Sequence, residues 1–399
     1  MKRACQFAPC IVLVPVLLFL AGCKRAPAPA PPTPAEVESQ AQRSRLAVPE
    51  HGIYAGAYVD FGDHEDDVTL EKIEEFETMV GKHQAIIASS SYWGEQNFPK
   101  TNLKIIARHN SIPLVFWSPW DRPYKEGRGP DKYSLRRIIA GDHDAYIDRW
   151  ADSAKAHAAP IMVSFCNEMN GAWFPWSGIH YGGGKVIPGK DPERYEGPEL
   201  FKQAWRHVVD RVRARGADNV IWVFHTMDFS MPNDVWNLAA EYYPGSDYVD
   251  WMGFSLYGNQ FVSDSAWARF FDLIDWPYKE LTLLDPKKPI MLCEWGVGEF
   301  PKVGDKGGWI RDGFRIMADK TKFPRLKAAV FWHERWQTGA DEVDDSTKEN
   351  AGTYSDLRVN SSPGALDAYR KGVASPFFLG EPIWVPKTAR QPAEIPLPK

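Results

Sequence analysis

Short apolar segments recur along the chain, and each is followed by a stretch whose apolar residues have helical spacing. Eight such segments, rich in β-branched and aromatic residues, span residues 53–59, 85–91, 112–117, 161–167, 220–225, 248–255, 289–294 and 328–333. Apolar runs without polar alternation are typical of strands that are buried on both faces of a parallel sheet. The pattern therefore predicts eight parallel strands in alternation with helices.

The intervening stretches carry helix boundaries as well as helical periodicity. The amphipathic stretches include residues 69–81, 144–157, 198–215 and 264–281. Thr69 stands where a helix N-cap is expected. Gly81 and Gly216 stand where helices end, because glycine adopts the left-handed conformation that closes a helix.

The repeated alternation of strand and helix favours one fold class, a single (β/α)8 TIM barrel with elaborated loops. A doubly wound sheet with more than one domain is the alternative, but the sequence shows no repeat period and no linker to a second domain. We assign the barrel to residues 52–374 and a proline-rich tail to residues 375–399. The tail residues Phe377, Phe378 and Trp384 either pack on the barrel or extend into solvent.

The start of the chain has the composition of a secretory leader. Two basic residues precede an apolar stretch, residues 11–20, that is too short to span a bilayer. Residues 20–23, LAGC, resemble a bacterial lipobox, which implies removal of residues 1–22 and acylation of Cys23. An ordinary secretory signal or a membrane anchor is the alternative interpretation.

The residues after the lipobox predict a tether. Residues 23–51 comprise the lipidated cysteine and an Ala/Pro-rich linker, of which residues 24–36 should be extended. Lys24 stands in place of the aspartate that is associated with retention in the inner membrane. We therefore expect a lipid anchor in the outer membrane of a bacterial envelope, on a face that the sequence does not specify.

Charge and cysteine content exclude several classes of protein. The chain has 47 Lys and Arg against 52 Asp and Glu, and no basic block, so a nucleic-acid partner is not expected. Cys166 and Cys293 fall on opposite sides of the predicted barrel with opposite side-chain parity, so we expect no disulfide between them. Two isolated cysteines without a histidine pair at ligand spacing predict no zinc site.

Two of the apolar segments end in glutamate. Residues 165–168, FCNE, end the fourth strand, and residues 292–296, LCEWG, end the seventh. Catalytic groups of a barrel of this type stand at the C-terminal ends of its strands. Two carboxyl groups are the minimum for glycoside hydrolysis, because one protonates the leaving oxygen while the other attacks or activates water. A salt bridge at the rim explains one such glutamate, but two, each beside a tryptophan, favour Glu168 and Glu294 as a catalytic pair.

The aromatic content agrees with a carbohydrate substrate. The chain has 17 Trp, 15 Tyr and 21 Phe, and flat aromatic faces suit sugar rings as well as packing.

The glutamates lie within motifs that resemble a known family. Residues 167–176, NEMNGAWFPW, resemble the general-acid signature of glycoside hydrolase family 26, and residues 293–296, CEWG, are similar to its nucleophile motif. The likeness extends over most of residues 52–370. It implies a retaining double displacement without a metal or organic cofactor, with Glu168 as general acid/base and Glu294 as nucleophile.

The resemblance also implies roles for four aromatic residues. Tyr257 matches the position whose hydroxyl bonds the nucleophile, and Trp332 matches the aromatic floor under the sugar that is cleaved. Trp173 and Trp176 should line the leaving-group side of the cleft. The alternative is core packing for each tryptophan and rim structure for Tyr257.

One residue departs from the pattern of the family. Its mannanases usually carry histidine immediately before the acid/base residue, where this chain has Asn167. In the wider clan, an asparagine there bonds the sugar 2-hydroxyl, and mannose and glucose differ at that carbon. The resemblance therefore implies an endo-β-1,4-mannanase-like enzyme, with a β-1,4- or mixed-linkage β-1,3-1,4-glucanase or an exopolysaccharide-trimming hydrolase as the alternative.

A different class of protein also fits the leader and the aromatic cleft. A non-catalytic surface lipoprotein would use the same barrel to bind a glycan. In either class we expect a monomer whose partners are a β-linked polysaccharide or oligosaccharide and, through Cys23, a bacterial membrane. The acidic residues 63–67 lack the spacing of a calcium loop and are interpreted as a solvated turn, with a role in the cleft or in cation binding left open.

Overall fold

The structure is a computed structural model that describes residues 31–122, 129–130, 132–264, 266–338 and 348–388. The predicted leader, Cys23 and residues 24–30 of the tether lie outside the described residues. Within the described part of the chain, no helix combines the length and the apolar character needed to cross a membrane.

Eight parallel strands form a closed barrel. They are β1 Ile53–Tyr58, β2 Ile86–Tyr92, β3 Ile112–Ser118, β4 Ile161–Phe165, β5 Val220–Met227, β6 Trp251–Tyr257, β7 Ile290–Gly296 and β8 Leu326–Trp332. Each strand pairs with the next along the chain, and β8 pairs with β1 from Tyr54–Ala328 to Tyr58–Trp332, which closes the ring. The predicted (β/α)8 architecture is confirmed.

Helices follow the strands around the outside of the sheet. The longer ones are Leu70–Val80, Lys100–Arg108, Asp144–His157, Glu196–Ala214, Phe270–Leu284, Lys306–Met317 and Pro363–Val373, with shorter ones at Leu135–Ile139 and Ala239–Tyr242. The Thr69 hydroxyl accepts a hydrogen bond from the Lys72 amide, and Gly81 closes the same helix in the left-handed conformation. Both boundary residues have the predicted roles.

Two structured elements precede the first strand of the barrel. Pro34–Gln42 is a helix, because proline suits the first helical position and the residues after it are mostly good helix formers. Ser44–Leu46 then pairs in antiparallel fashion with Trp384–Pro386. The prediction of an extended chain up to residue 36 was therefore wrong for residues 34–36, which begin this helix.

The tail packs on the barrel as far as it is described. Phe378–Leu379 forms a short strand parallel to β1, and Phe378 is buried. Together with the ribbon made by Trp384–Pro386, this strand attaches the tail to the barrel through backbone hydrogen bonds. Of the two alternatives for the tail, the structure shows packing over its described residues.

Much of the aromatic content belongs to the core. The fully buried tryptophans are Trp93, Trp117, Trp150, Trp176, Trp205, Trp222 and Trp295. Trp117 stacks on Trp150 with ring centroids 4.2 Å apart, which couples β3 to the helix Asp144–His157. Cys166 and Cys293 are buried free thiols, so the expectation of no disulfide is confirmed.

An ion cluster outside the barrel joins two helices to the loops that follow them. Glu77 accepts from His83 at 2.9 Å and from His109 at 3.0 Å, and its side chain is 14% exposed. Burial by itself raises the pKa of Glu77, but the hydrogen bonds from the two histidines outweigh it and lower the pKa to about 2. Burial lowers the pKa of His83, yet the contacts with Glu77 and Glu381 raise it overall.

We expect Glu77→Gln to destabilise the protein by about 1.5–3 kcal/mol at pH 6, the range for loss of a charge-assisted hydrogen bond. A lowered carboxyl pKa stabilises the fold above the unfolded value of 4.5, and this stabilisation is lost as the pH falls toward 2. The raised pKa of His83 stabilises the fold at pH values below its unfolded pKa of 6.5. This stabilisation is lost as the pH rises through the pKa of the folded state. Urea unfolding at pH 6 and pH 3 measures both effects.

The control for this measurement is Glu75→Gln, which changes an exposed carboxyl on the same helix. The difference between the Glu77 variant and wild type should shrink at pH 3. An equal difference at both pH values would contradict the role of this cluster.

Candidate active site

The C-terminal ends of the barrel strands form a cleft that collects most of the predicted site residues. The cleft is lined by Asn167, Glu168, Trp176, Glu294 and Trp332, together with Glu65 from the loop after β1. Trp173 and Tyr257 reach the same cleft through hydrogen bonds to the two glutamates. The parallel register of the barrel brings these residues together from β1, β4, β6, β7 and β8.

Local backbone geometry aims the two glutamates into the cleft. Glu168 follows β4 with φ 54°, and Cys166 before it also has φ 54°, so the chain turns sharply through a left-handed conformation that costs energy for residues with a side chain. The pairing of β6 with β7 shifts its register just before Glu294. Phe254 of β6 pairs with Leu292 of β7, but the next residue, Ser255, pairs with Glu294, so Cys293 is skipped. Such a bulge re-aims the side chain that follows it.

The two carboxyl groups are close together and nearly excluded from water. Glu168 and Glu294 are 7% and 8% exposed. One carboxylate oxygen of each lies within 4.8 Å of the other and of a ring nitrogen of His225. Both ring nitrogens of His225 are hydrogen-bonded to serine hydroxyls, so this cluster does not present the histidine as a metal ligand.

The electrostatics of the pair favour retention of a proton. Burial raises the pKa of Glu168, and repulsion from Glu65 adds to that effect. Burial raises the pKa of Glu294 well above its usual range, and the charge of Glu168 raises it further. The hydrogen bond from Tyr257 works in the opposite direction for Glu294. Two carboxylates at this distance do not both ionise readily, so the pair holds a proton near neutral pH.

Each glutamate receives a hydrogen bond from an aromatic side chain. The Tyr257 hydroxyl donates to Glu294 Oε2 at 2.6 Å. Burial and the neighbouring Glu294 raise the pKa of Tyr257 well above its usual range, so the phenol stays a donor. The Trp173 indole donates to Glu168 Oε2 at 2.7 Å. These bonds stabilise the charged forms and restrict the orientation of both carboxyl groups.

Trp176 and Trp332 occupy different environments. Trp332 stacks on Tyr58 with centroids 4.0 Å apart, and its indole donates to Glu334. Trp176 is 1% exposed, and its indole donates to the backbone oxygen of Asn167 at 2.6 Å. Trp176 thus holds Asn167 in place and offers little surface to a ligand.

Trp173 lies beside an exposed aromatic residue, Phe229, at the rim of the cleft. Its ring centroid lies 6.2 Å from that of Phe229, which is 51% exposed. The Asn170 side chain fixes the segment that carries Phe229, because it donates to the backbone oxygens of Met227 and Phe229 and accepts from the Met227 amide. The motif that carries the acid residue therefore also builds one wall of the cleft.

Sequence reasoning missed several residues of the cleft. Residues 63–67 were interpreted as a solvated turn with a role in the cleft left open, and Glu65 does lie in the cleft, where it accepts a hydrogen bond from the Ser90 hydroxyl at 2.6 Å. Glu334 lies beyond β8, and burial, together with repulsion from Glu65, raises its pKa to about 8. Their positions directly after β1 and β8 are the signal that identifies them, since both loops open at the C-terminal mouth.

Comparison with known proteins agrees with this geometry. Residues 132–288 match the family model of glycosyl hydrolase family 26. Endoglucanase H of Acetivibrio thermocellus is 29% identical over 327 residues, which are 81% of this chain and 31% of that protein. The mannan endo-1,4-β-mannosidase of Bacillus subtilis is 24% identical over 267 residues, which are 66% of this chain and 63% of that protein. Over residues 132–288, less than half of the chain, the protein is thus similar to glycosyl hydrolase family 26.

Solved structures show the same fold as this chain. The modular endo-β-1,4-mannanase of Cellulomonas fimi aligns with a TM-score of 0.56 at 17% identity, over 82% of this chain and 72% of that chain. The family 26 domain of a Prevotella bryantii enzyme aligns with a TM-score of 0.53 at 13% identity, over 83% of this chain and 91% of that chain. At these identities the likeness concerns the barrel. The chain spans 31% of Endoglucanase H and less than two thirds of the Bacillus mannosidases.

Proposed function

We propose that the protein is a retaining endo-β-glycosidase that hydrolyses β-1,4-linked polysaccharide and is similar to endo-β-1,4-mannanases. The observation that carries the proposal is the buried pair Glu168 and Glu294, with oxygens within 4.8 Å of each other at the mouth of the barrel. Carboxyl groups of inverting enzymes stand about 6.5–9.5 Å apart to admit a water molecule, whereas those of retaining enzymes stand about 5–5.5 Å apart. The short separation supports retention.

In this mechanism the two glutamates have different roles. Glu168 protonates the leaving oxygen while Glu294 attacks the anomeric carbon, so that the glycosidic bond breaks as a glycosyl ester forms. Glu168, now ionised, then takes a proton from water, and the water oxygen displaces Glu294. The raised pKa of Glu168 suits an acid that works near neutral pH.

The hydrogen bonds around the pair support this division of roles. The reactive state has its proton on Glu168 and its charge on Glu294. Tyr257 stabilises that charge by donating to Glu294. Trp173 donates to Glu168 and stabilises the ionised form that activates water in the second step.

The identity of the sugar has two candidates. The Bacillus relatives are mannan endo-1,4-β-mannosidases. A β-glucanase is the second candidate, because Asn167 replaces the usual histidine and because Endoglucanase H aligns with 81% of this chain. Trp176 holds the Asn167 backbone beside Glu168, which supports a contact between Asn167 and the 2-hydroxyl of the sugar.

We expect Glu294→Ala to abolish hydrolysis of linear β-1,4-mannan and mixed-linkage β-glucan, since no covalent intermediate forms. Glu168→Ala should lose about 10²–10⁴-fold in rate on the polysaccharide, the usual contribution of general acid catalysis. The rate of the first step of Glu168→Ala should fall much less with a dinitrophenyl glycoside, because that leaving group needs no proton. Reducing-end release and dinitrophenol release measure the two reactions.

Glu75→Ala on an outer helix is the control and should leave both rates unchanged. Binding of polysaccharide by wild type without any reducing-end release would support the non-catalytic glycan-binding alternative and overturn the proposed function.

Asn167 tests the choice between the two sugars. If its amide bonds an equatorial 2-hydroxyl in the transition state, wild type should prefer mixed-linkage β-glucan to mannan. Asn167→His should then lower kcat/KM on glucan and retain or raise it on mannan. A wild-type preference for mannan of about tenfold or more, which corresponds to about 1.4 kcal/mol, would contradict the glucan candidate.

We also propose that the protein is a monomer attached to the bacterial outer membrane through a lipid on Cys23. The lipobox sequence at residues 20–23 supports this attachment. Labelling with radioactive palmitate should mark wild type but not Cys23→Ser, and only wild type should fractionate with membranes. Equal labelling or equal membrane association of the two forms would contradict the proposal. Light scattering of a chain that starts at residue 31 tests the monomer.

A further inference from the structure

A chain of buried polar groups lies beneath Glu168 inside the barrel. His225 is on β5, between Ser164 of β4 and Ser255 of β6, and all three side chains are fully buried. His225 Nδ1 lies 3.0 Å from the Ser164 hydroxyl, and His225 Nε2 lies 2.8 Å from the Ser255 hydroxyl. Ser255 in turn is a hydrogen-bond partner of the Glu168 carboxyl.

The same histidine also holds the backbone of the acid residue. The Glu168 amide donates to the carbonyl oxygen of His225 at 2.8 Å. The Glu168 main chain is therefore held by His225, and its side chain has both Trp173 and Ser255 as hydrogen-bond partners.

The chemistry of the groups determines the direction of these hydrogen bonds. Burial lowers the pKa of His225 to about 3, so the ring is neutral and carries a single N–H. An ionised Glu168 only accepts, so Ser255 donates to it, and the Ser255 oxygen then accepts from His225 Nε2. His225 Nδ1 is left as an acceptor for the Ser164 hydroxyl. The donors therefore follow one direction: Ser164 donates to His225, His225 to Ser255, and Ser255 to Glu168.

We propose that Ser255, held in place by His225, is a positioning residue that donates a hydrogen bond to Glu168 and stabilises its ionised form. This inference rests on the proposed hydrolase function, in which Glu168 acts first as an acid and then as a base. The hydrogen-bonded chain of Ser164, His225 and Ser255, called the relay below, matters because the other titratable groups that face Glu168 within the described residues do not supply a positive charge. They are Glu65, Asp228, Tyr257, Cys293 and Glu294.

The sign of the expected effect follows from the two steps. The first step needs protonated Glu168, so kcat/KM falls as the pH rises through its pKa. Loss of a donor to the charged form raises that pKa. Ser255→Ala should therefore move the alkaline limb of the kcat/KM profile upward by about 1–2 pH units, the scale of one hydrogen bond to a carboxylate. The second step needs ionised Glu168, so kcat on a dinitrophenyl glycoside should fall.

Two substitutions of His225 separate positioning from folding. His225→Phe removes the donor to Ser255 and should shift the profile as Ser255→Ala does. His225→Gln places an amide N–H near the Nε2 position and should return the limb toward the wild-type pH. Ser91→Ala is the matched control, because Ser91 is also a buried serine of a barrel strand, and its hydroxyl has no hydrogen-bond partner among the described residues. It should leave the limb in place.

A measurement without substrate keeps the inference independent of the proposed function. Titration of the full chain labelled with ¹³C at the glutamate carboxyls, assigned with Glu168→Gln, gives the pKa of Glu168 directly. A higher value in Ser255→Ala than in wild type supports the relay, even if no polysaccharide is hydrolysed. An unchanged or lower value in Ser255→Ala overturns it, whatever the effect of the substitution on stability or rate.

Discussion

The closure of the barrel by the β8–β1 pairing is the constraint on which the cleft depends. Five residue pairs, from Tyr54–Ala328 to Tyr58–Trp332, join the last strand to the first. Once the ring is closed, the ends of β4 and β7 lie across a narrow mouth from each other. Trp332 stacks on Tyr58 at that seam, so the pairing that completes the sheet also places the Trp332 ring in the lining of the cleft.

Within this frame the cleft concentrates negative charge that the fold must stabilise. Glu65, Glu168, Glu294 and Glu334 influence one another through a space that excludes most water. The fold meets this cost with neutral donors from different strands and loops, including a phenol, indoles and hydroxyls. Neutral donors stabilise a carboxylate without pairing it with a positive charge. Each glutamate can therefore still take up a proton, and its pKa depends on how many donors it has.

The sequence was sufficient for those features that depend on local pattern. Continuous apolar segments identified all eight barrel strands, and the residues that end the fourth and seventh identified Glu168 and Glu294.

The sequence was insufficient where tertiary contacts decide which residues meet. Glu65 enters the cleft from a loop after β1 that turns through three left-handed residues, Asp60, Gly62 and Glu65 itself. His225 and Ser255 lie inside apolar strands, where a polar residue gives no sign of its partner. The helix at Pro34–Gln42 leads into a strand whose partner lies more than 300 residues away.

That distant pairing has a consequence for the topology of the whole barrel. Ser44–Leu46 and Trp384–Pro386 are neighbouring strands, so the two ends of the described barrel lie about 5 Å apart. The segment between these two strands is thus nearly circular, and the ring of strands does not depend on the point at which the segment is open. A circular permutant that joins these ends and opens in a surface loop elsewhere retains every pairing of the ring, and with it the arrangement of the cleft.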